Sequence, residues 1–182
     1  EVAALKSEMA DAKVTEFASM TFYKGTLCGK DTVVVRSGIG KVNAAICAQI
    51  LVDKFGVDTL INTGIAGSLD ARIDIGDMVI STDAVHHDMD ATIFGDAIGQ
   101  VPRMNTRTFP ADPHLVELAV KANEKANPQI HTFTGRVASG DQFISSGEVK
   151  ARIVENFQAL CTEMEGAGIA HAAYLNKVSY VI

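Results

Sequence analysis

The chain has 182 residues, a length that fits one domain. Hydrophobic residues make up 47% and charged residues 21%, which is the balance of a globular protein and excludes a disordered or fibrous chain. The net charge of -6 repels phosphate backbones, so we expect no nucleic-acid partner.

Helix and strand signals alternate along the first part of the chain. Residues 1–12 have a helical pattern, and residues 21–29 and 32–36 are predicted to form the strands of a hairpin. Residues 41–55 are predicted to form a helix that ends at Gly56. Four apolar residues share one face of that helix and are expected to be buried: Val42, Ala45, Ile46 and Ile50.

The second part of the chain continues this alternation. A helix is predicted to begin at Asp112-Pro113, where a capping side chain precedes proline, and to stop at Asn127. The other predicted elements are strands at residues 59–62, 78–85, 131–139 and 178–182 and helices at residues 149–156 and 166–176. The order of elements predicts an α/β layer fold. The long, weakly periodic stretch at residues 87–110 is typical of a functional loop or an interface.

Several absences bear on the compartment and on cofactors. No run of about 18 apolar residues and no basic-then-apolar leader occurs, so we expect neither a membrane span nor a secretory signal. Cys28, Cys47 and Cys161 show no disulfide or metal-binding spacing, and they are interpreted as reduced, buried thiols of a cytoplasmic protein. The five histidines have no metal-ligand spacing either.

Four segments with unusual chemistry follow predicted strands, at residues 37–41, 62–67, 139–144 and 163–167. Ligands of open α/β sheets bind at the carboxyl ends of strands, so these segments are the candidate site. The glycine-rich turn at residues 37–41 has two interpretations. It could cradle a phosphate, or it could be a tight turn that lets the backbone approach a ligand.

The pair Glu163 and Glu165 opens a predicted helix. Pairing with the helix dipole explains one glutamate, whereas the other suits a carboxylate that accepts the two vicinal hydroxyls of a ribose and stabilises positive charge on the sugar ring. Phe143 is bracketed by polar residues of a strand-end loop. It is either a ring that stacks on a flat base or a core phenylalanine under the loop.

The segments SGIGK, NTGIAG, HHDMDATIFGDAIGQVP, SGDQFI and EMEGAGIAH occur in this order, and together they resemble the 5'-methylthioadenosine/S-adenosylhomocysteine nucleosidases of the nucleoside phosphorylase superfamily. The resemblance covers essentially the whole chain. It implies a three-layer α/β/α fold around a mixed twisted sheet, and a homodimer. It also implies hydrolysis of the N-glycosidic bond of an adenine nucleoside, releasing adenine and a 5'-thio-substituted ribose, with no metal or cofactor.

The resemblance also implies roles for individual residues. Glu1 would position the attacking water, Glu165 would bind the ribose hydroxyls, and Phe143 would stack on adenine. Met164 and Ile39 would lie against the ribose, and the Ile144 backbone would meet the edge of the base. Ala66 and Gly67 would form the floor of the pocket. Ala91, Phe94 and Pro102 would reach into the 5'-alkylthio pocket of the neighbouring subunit. His86, His87 and Asp88 are either hydrogen-bonding groups of the interface, which the resemblance favours, or simple polar residues at a strand end.

The resemblance further implies that residues 1–182 are a single domain incomplete at both termini. The family's general acid is an aspartate after the final strand, so we expect it beyond Ile182, and we expect activity from the longer protein. Two alternatives remain, a phosphate-dependent phosphorylase and a non-catalytic nucleoside-binding protein. The phosphorylases carry arginine and serine where this chain has Asn62 and Ile65. The preference among methylthioadenosine, S-adenosylhomocysteine, 5'-deoxyadenosine and futalosine-type substrates stays open.

Overall fold

A computed structural model describes residues 1–182 as ten strands, five α-helices and one short 3-10 helix at Thr92–Phe94. The strands are β1 (Ala10–Phe17), β2 (Met20–Leu27), β3 (Lys30–Val35), β4 (Thr59–Ile61), β5 (Gly67–Ser68), β6 (Met78–His86), β7 (Phe109–Pro110), β8 (Thr132–Ser139), β9 (Cys161–Glu163) and β10 (Ser179–Val181). The helices are α1 (Val2–Ser7), α2 (Lys41–Phe55), α3 (Pro113–Ala126), α4 (Gly147–Phe157) and α5 (Gly166–Asn176).

The central sheet is mixed. Its five-stranded part has the order β5-β9-β8-β6-β7, in which β8 runs parallel to both of its neighbours and the two edge strands are antiparallel. Strands β10 and β4 form a parallel pair beside β6. The link is at Ser81, whose N–H donates to the Ile182 carbonyl at 2.8 Å and whose Oγ accepts from the Ile182 N–H at 2.9 Å. Strands β1, β2 and β3 form a separate antiparallel meander.

Helices cover both faces of the sheet, as the three-layer prediction requires. Successive residues of β6 show this, because Ala84 belongs to the core beneath α2 and α5, whereas Val85 belongs to the core beneath α4. Helices α2 and α5 approach each other closely: a Cβ added to Gly168 would lie 2.6 Å from the carbonyl oxygen of Lys41. The layer order predicted from the sequence is therefore confirmed, and the predicted α/β class with it.

Two predictions about local structure were wrong in part. The helix predicted over residues 1–12 ends at Ser7, and β1 occupies the remainder because it pairs with β2. The most buried residues of α2 are Ala44, Cys47 and Ala48. Of the predicted set, Ile50 packs against the core around Phe22 and Ala45 is half-buried, whereas Val42 and Ile46 are exposed. Small residues face inward because α5 packs too closely for larger side chains.

The cysteines follow the prediction in part. Cys47 and Cys161 are buried and free, and burial raises the pKa of the two thiols to about 11 and about 12. Cys28 was predicted to be buried but is exposed, because it lies in the hairpin turn between β2 and β3 with a φ of 50°. No helix has the length and apolar character needed to cross a membrane.

Candidate active site at the strand ends

Glu165 lies where β9 gives way to α5, and its side chain reaches the turn that precedes α2. The Gly40 N–H donates a 2.8 Å hydrogen bond to Oε1 of Glu165. Oε2 accepts no hydrogen bond from the protein, and the residue is half-buried. One oxygen of this carboxylate is therefore anchored and the other is available to a ligand.

Glu163, two residues earlier, is turned inward. Its Oε2 accepts from the N–H groups of Glu165 at 2.9 Å and Gly166 at 2.6 Å, and its Oε1 is hydrogen-bonded to the Ser139 hydroxyl. Burial raises the pKa of the Glu163 carboxyl above its ordinary value, and these hydrogen bonds offset only part of that effect. Glu163 thus satisfies the free N–H groups at the start of α5, as the helix-dipole interpretation predicted for one glutamate of the pair.

The turn at residues 37–41 does not hold its N–H groups open for a phosphate. The Gly40 N–H bonds Glu165, and the Lys41 N–H donates to Oδ1 of Asp141 at 2.8 Å. Two carboxylates occupy the positions that a phosphate would need, so the phosphate-cradle interpretation was wrong. Gly40 has a φ of 93°, a left-handed backbone that favours glycine, and a Cβ there would lie 3.0 Å from Oδ1 of Asp141. The tight turn is confirmed, and its close approach to a ligand stays a prediction.

Phe143 is on the surface. Its ring is 88% exposed, so the interpretation as a core phenylalanine was wrong. The next residue, Ile144, is half-buried and packs against the core formed by Val85, Ile153 and their neighbours. Ile144 thus anchors a loop that presents an aromatic ring to the solvent. Because Ser139 of β8 pairs with Glu163 of β9, the segments carrying Phe143 and Glu165 leave the sheet side by side.

The remaining candidates of this edge lie on neighbouring segments. Met164 is half-buried between the two glutamates, and Ile39 is exposed at the tip of the turn. Ala66 and Gly67 are exposed where β5 pairs with β9. Glu1 is exposed at the start of α1, which contacts β3, the strand that leads into the turn.

The stretch at residues 87–110 divides into exposed and buried parts. Phe94 is 85% exposed and Pro102 is exposed, so both are available to a neighbouring molecule. Ala91 is only 7% exposed, and the prediction that it reaches across a dimer was wrong because its side chain is enclosed by its own chain. Gln100 braces the loop, since its Nε2 donates to three backbone carbonyls of the same stretch.

The structure shows contacts of His86, His87 and Asp88 within the chain itself, which favours their interpretation as polar residues at a strand end, and the interface role stays a prediction. His86 and His87 are 5% and 9% exposed, and Nε2 of His86 lies 3.3 Å from Nδ1 of His171 in the same chain. Burial is the main cause that lowers the pKa of His86 to about 4, so its ring stays neutral. Asp88 is paired with Lys41 of the same chain.

Three residues that shape the site were not singled out from the sequence as functional: Ser139, Lys41 and Asp141. Each lies in one of the motifs, so the motif positions were the available signal. Their partners, however, are up to 100 residues away along the chain, and no local pattern encodes such pairings.

The chain is similar to known proteins. A family model described as the phosphorylase superfamily matches residues 1–182. A 5'-methylthioadenosine/S-adenosylhomocysteine nucleosidase from Colwellia psychrerythraea is 44% identical over 187 residues, covering 100% of this chain and 76% of that protein. A crystal structure of the nucleosidase from that organism in complex with adenine matches with a TM-score of 0.93 and covers 98% of this chain and 74% of that chain.

Two other solved structures share the fold. The nucleosidase from Neisseria meningitidis, in complex with methylthio-immucillin-A, has a TM-score of 0.94 and 38% identity, covering 100% of this chain and 78% of that chain. A futalosine hydrolase mutant of Helicobacter pylori has a TM-score of 0.90 and 30% identity, covering 97% of this chain and 79% of that chain.

Proposed function

This chain belongs to the 5'-methylthioadenosine/S-adenosylhomocysteine nucleosidase family of the phosphorylase superfamily, and from this membership we propose that it hydrolyses the N-glycosidic bond of these two nucleosides. The products are adenine and a 5'-thio-substituted ribose. The observation that carries the proposal is the Glu165 carboxylate, held at Oε1 by the Gly40 N–H with Oε2 free, on the same sheet edge as the exposed ring of Phe143.

Glu165 has the arrangement needed to bind and stabilise a ribose. Oε2 accepts hydrogen bonds from the two vicinal hydroxyls, while Gly40 prevents the carboxylate from rotating away. As the bond from the ribose carbon to adenine N9 lengthens, positive charge develops on the sugar ring. A fixed carboxylate stabilises this charge more in the transition state than in the ground state, which is what accelerates the reaction.

The other candidate residues bind the adenine base, line the pocket and orient the attacking water. The exposed ring of Phe143 stacks on adenine, and the backbone of Ile144 meets the base edge because the Ile144 side chain is anchored in the core. Met164 and Ile39 contact the sugar, Ala66 and Gly67 form the floor, and Glu1 orients the water that adds to the ribose carbon. The electron pair of the broken bond goes to adenine, which needs a proton at N7. We assign that proton to the aspartate that the family carries after β10.

The site favours water over phosphate as the nucleophile. The N–H groups of Gly40 and Lys41 are occupied by carboxylates, and the Lys41 ammonium is paired with Asp88. Ile65, at the place where the phosphorylases have serine, is an exposed apolar side chain that donates no hydrogen bond. A phosphate dianion there would lack the charged and hydroxyl partners that it requires.

We also propose a homodimer in which Phe94 and Pro102 complete the partner's 5'-alkylthio pocket. The support is the exposure of large apolar side chains in the stretch at residues 87–110, Ile93 and Phe94, and on α2, Val42 and Ile46. Exposed apolar patches often mark protein–protein interfaces. Size-exclusion chromatography with light scattering tests the dimer, and a monomer at working concentrations contradicts it.

We further propose that residues 1–182 act as one domain in the cytoplasm. Strand β6 contributes to the cores on both faces of the sheet, Ala84 to one and Val85 to the other, which ties the layers into one unit. The three cysteines are free, as is usual where thiols are kept reduced. Cell fractionation with an antibody to the protein tests the location.

The experiment for the reaction is adenine release by the purified full-length protein in phosphate-free buffer. We expect adenine and a reducing sugar in equal amounts from methylthioadenosine and from S-adenosylhomocysteine, with no dependence on added phosphate. A strict need for phosphate, with a sugar phosphate as product, would contradict hydrolysis. Tight nucleoside binding without any turnover would favour a storage protein instead.

A further inference from the structure

Three residues that the proposed reaction does not use form a closed ring of hydrogen bonds beneath the site. The Lys41 N–H donates to Oδ1 of Asp141 at 2.8 Å, and the Asp141 N–H donates to Oδ2 of Asp88 at 2.9 Å. Oδ1 of Asp88 closes the circuit by pairing with Nζ of Lys41. The ring, named here the Lys41–Asp88–Asp141 ring, joins the start of α2 to the segments that follow β6 and β8.

The charged pair in this ring is shielded from solvent. The side chains of Lys41 and Asp88 are 15% and 17% exposed. Burial by itself would raise the pKa of Asp88, but the Lys41 ammonium and the Asp141 N–H together lower it below its ordinary value, so the carboxylate stays charged. Water cannot easily replace either partner at this burial, and the loss of one leaves the other unpaired.

Packing next to the ring restricts the same segments. A Cβ on Gly140 would collide with the ring of His87, so the loop after β8 passes directly over that histidine. His87 is itself followed by Asp88, whose carboxylate holds the next residue of the loop, Asp141. In the loop that carries Phe143, Gly140 thus packs on His87 and Asp141 is hydrogen-bonded to Asp88.

The two groups that face the ligand, Phe143 and Glu165, are both attached to the Lys41–Asp88–Asp141 ring. Phe143 follows Asp141 by two residues, and Glu165 is bonded to the N–H of Gly40, the residue before Lys41. The Lys41–Asp88–Asp141 ring therefore sets the separation between the Phe143 side chain and the Glu165 carboxylate. A nucleoside must satisfy both at once, because its base and its ribose are covalently joined, whereas free adenine needs only the first.

We propose that Asp88, through the Lys41–Asp88–Asp141 ring, is a positioning residue that fixes the distance between the base subsite and the ribose subsite. This inference rests on the proposed function, since it takes Phe143 and Glu165 as the two subsites. It assigns Lys41 to the same task and gives Asp88 no contact with the substrate.

The test compares the affinity of the full-length protein for methylthio-immucillin-A, which spans both subsites, with its affinity for free adenine, which occupies one. We expect Asp88→Ala to raise the dissociation constant of the analogue by about tenfold to a hundredfold, the size of effect that a displaced contact produces. The dissociation constant of adenine should rise by about threefold at most. The control is Asp90→Asn, in the same loop, because Asp90 bonds only Thr92 beside it, and both affinities should be unchanged.

A second variant separates positioning from stability. Lys41→Met/Asp88→Leu removes both buried charges together, which restores much of the stability that a single charge deletion loses. It still deprives the Asp141 N–H of its acceptor, so the analogue should bind as poorly as it does to Asp88→Ala, and thermal unfolding measured by circular dichroism should be closer to wild type. If the double variant also recovers analogue binding, Asp88 acts on stability alone and the proposal is overturned.

The remaining outcomes are distinct. Equal losses for the analogue and for adenine, or no loss for either, would overturn the positioning role while leaving the proposed reaction intact. Failure of the wild-type protein to bind the analogue or to release adenine would overturn the proposed function, and the ring would then lose its two subsites as well.

Discussion

Oε2 of Glu163 accepts a 2.9 Å hydrogen bond from the backbone N–H of Glu165, so one glutamate holds the main chain of the other. Two carboxylates two residues apart therefore face opposite environments. The Glu163 carboxylate is enclosed, and its Oε1 accepts a hydrogen bond from the Ser139 hydroxyl. The Glu165 carboxylate projects toward the ligand with Oε2 free. Because the two environments differ, replacing glutamate by glutamine is expected to have different effects at positions 163 and 165.

Glu165→Gln should lower turnover by about a hundredfold or more while leaving folding nearly unchanged. Glutamine keeps an oxygen for the Gly40 N–H but loses the negative charge that stabilises the ribose ring in the transition state. Adenine release and the free energy of unfolding in urea are the two measurements. Glu124→Gln, an exposed residue of α3, is the matched control and should alter neither. Turnover within about twofold of wild type would exclude the ribose role.

Glu163→Gln should change how stability depends on pH. The folded-state pKa of Glu163 is raised by burial, so ionisation opposes folding. Its contribution is most favourable below the ordinary glutamate pKa of about 4.3 and is lost as the pH rises through the folded pKa. The glutamine variant has no such group, so its free energy of unfolding should increase relative to that of wild type as the pH rises, which means that the variant becomes the more stable of the two.

Urea unfolding of both proteins between about pH 4 and about pH 8 provides that comparison. The difference between the two proteins isolates Glu163, because the other titrating groups are the same in both. A difference that is constant over the whole range would mean that Glu163 has an ordinary pKa in the folded protein.

Phe143→Ala should weaken nucleoside binding without weakening the fold. The side chain is 88% exposed, so its removal leaves no cavity, whereas stacking on a base contributes about 1–3 kcal/mol. We expect KM to rise by about tenfold or more, and Phe143→Tyr to restore most of the loss. A KM for Phe143→Ala equal to that of wild type would remove Phe143 from the base subsite.

Phe94→Ala should discriminate between substrates. If the 85% exposed ring of Phe94 closes the partner's 5'-alkylthio pocket, its removal should raise the KM for methylthioadenosine by about tenfold and that for adenosine by about twofold at most. Ile75→Ala, another exposed apolar residue, is the control and should leave both values unchanged. Equal increases for the two substrates would contradict the cross-dimer pocket.

The three cysteines should react in two classes. Cys28 is exposed, whereas burial raises the pKa of Cys47 to about 11 and that of Cys161 to about 12 and shields both sulfurs. A thiol reagent at neutral pH should add one label to the native protein and three labels after denaturation, as counted by mass spectrometry. Rapid labelling of all three in the native state would show that the core opens readily.

The alternation of helix and strand signals was enough to predict the α/β class, and the three-layer arrangement followed from the resemblance of the motifs to a known family. Helices α2 and α5 have the predicted bounds, and Asp112 caps α3 by accepting from the N–H groups of His114 and Leu115, as its pairing with Pro113 indicated. These features depend on residues a few positions apart, where capping, proline geometry and apolar spacing dominate the energy. The motifs at the strand ends were visible for the same reason.

Only the tertiary structure decided which glutamate turns inward, which face of α2 is buried, and whether Ala91 and Phe94 are available to a partner. Each of these depends on contacts between distant parts of the chain. Gly40 and Glu165, for example, are 125 residues apart, and Lys41 and Asp141 are 100 apart. A carboxylate with two possible orientations takes the one in which folding brings it donors, and no neighbouring residue in the sequence specifies where those donors will be.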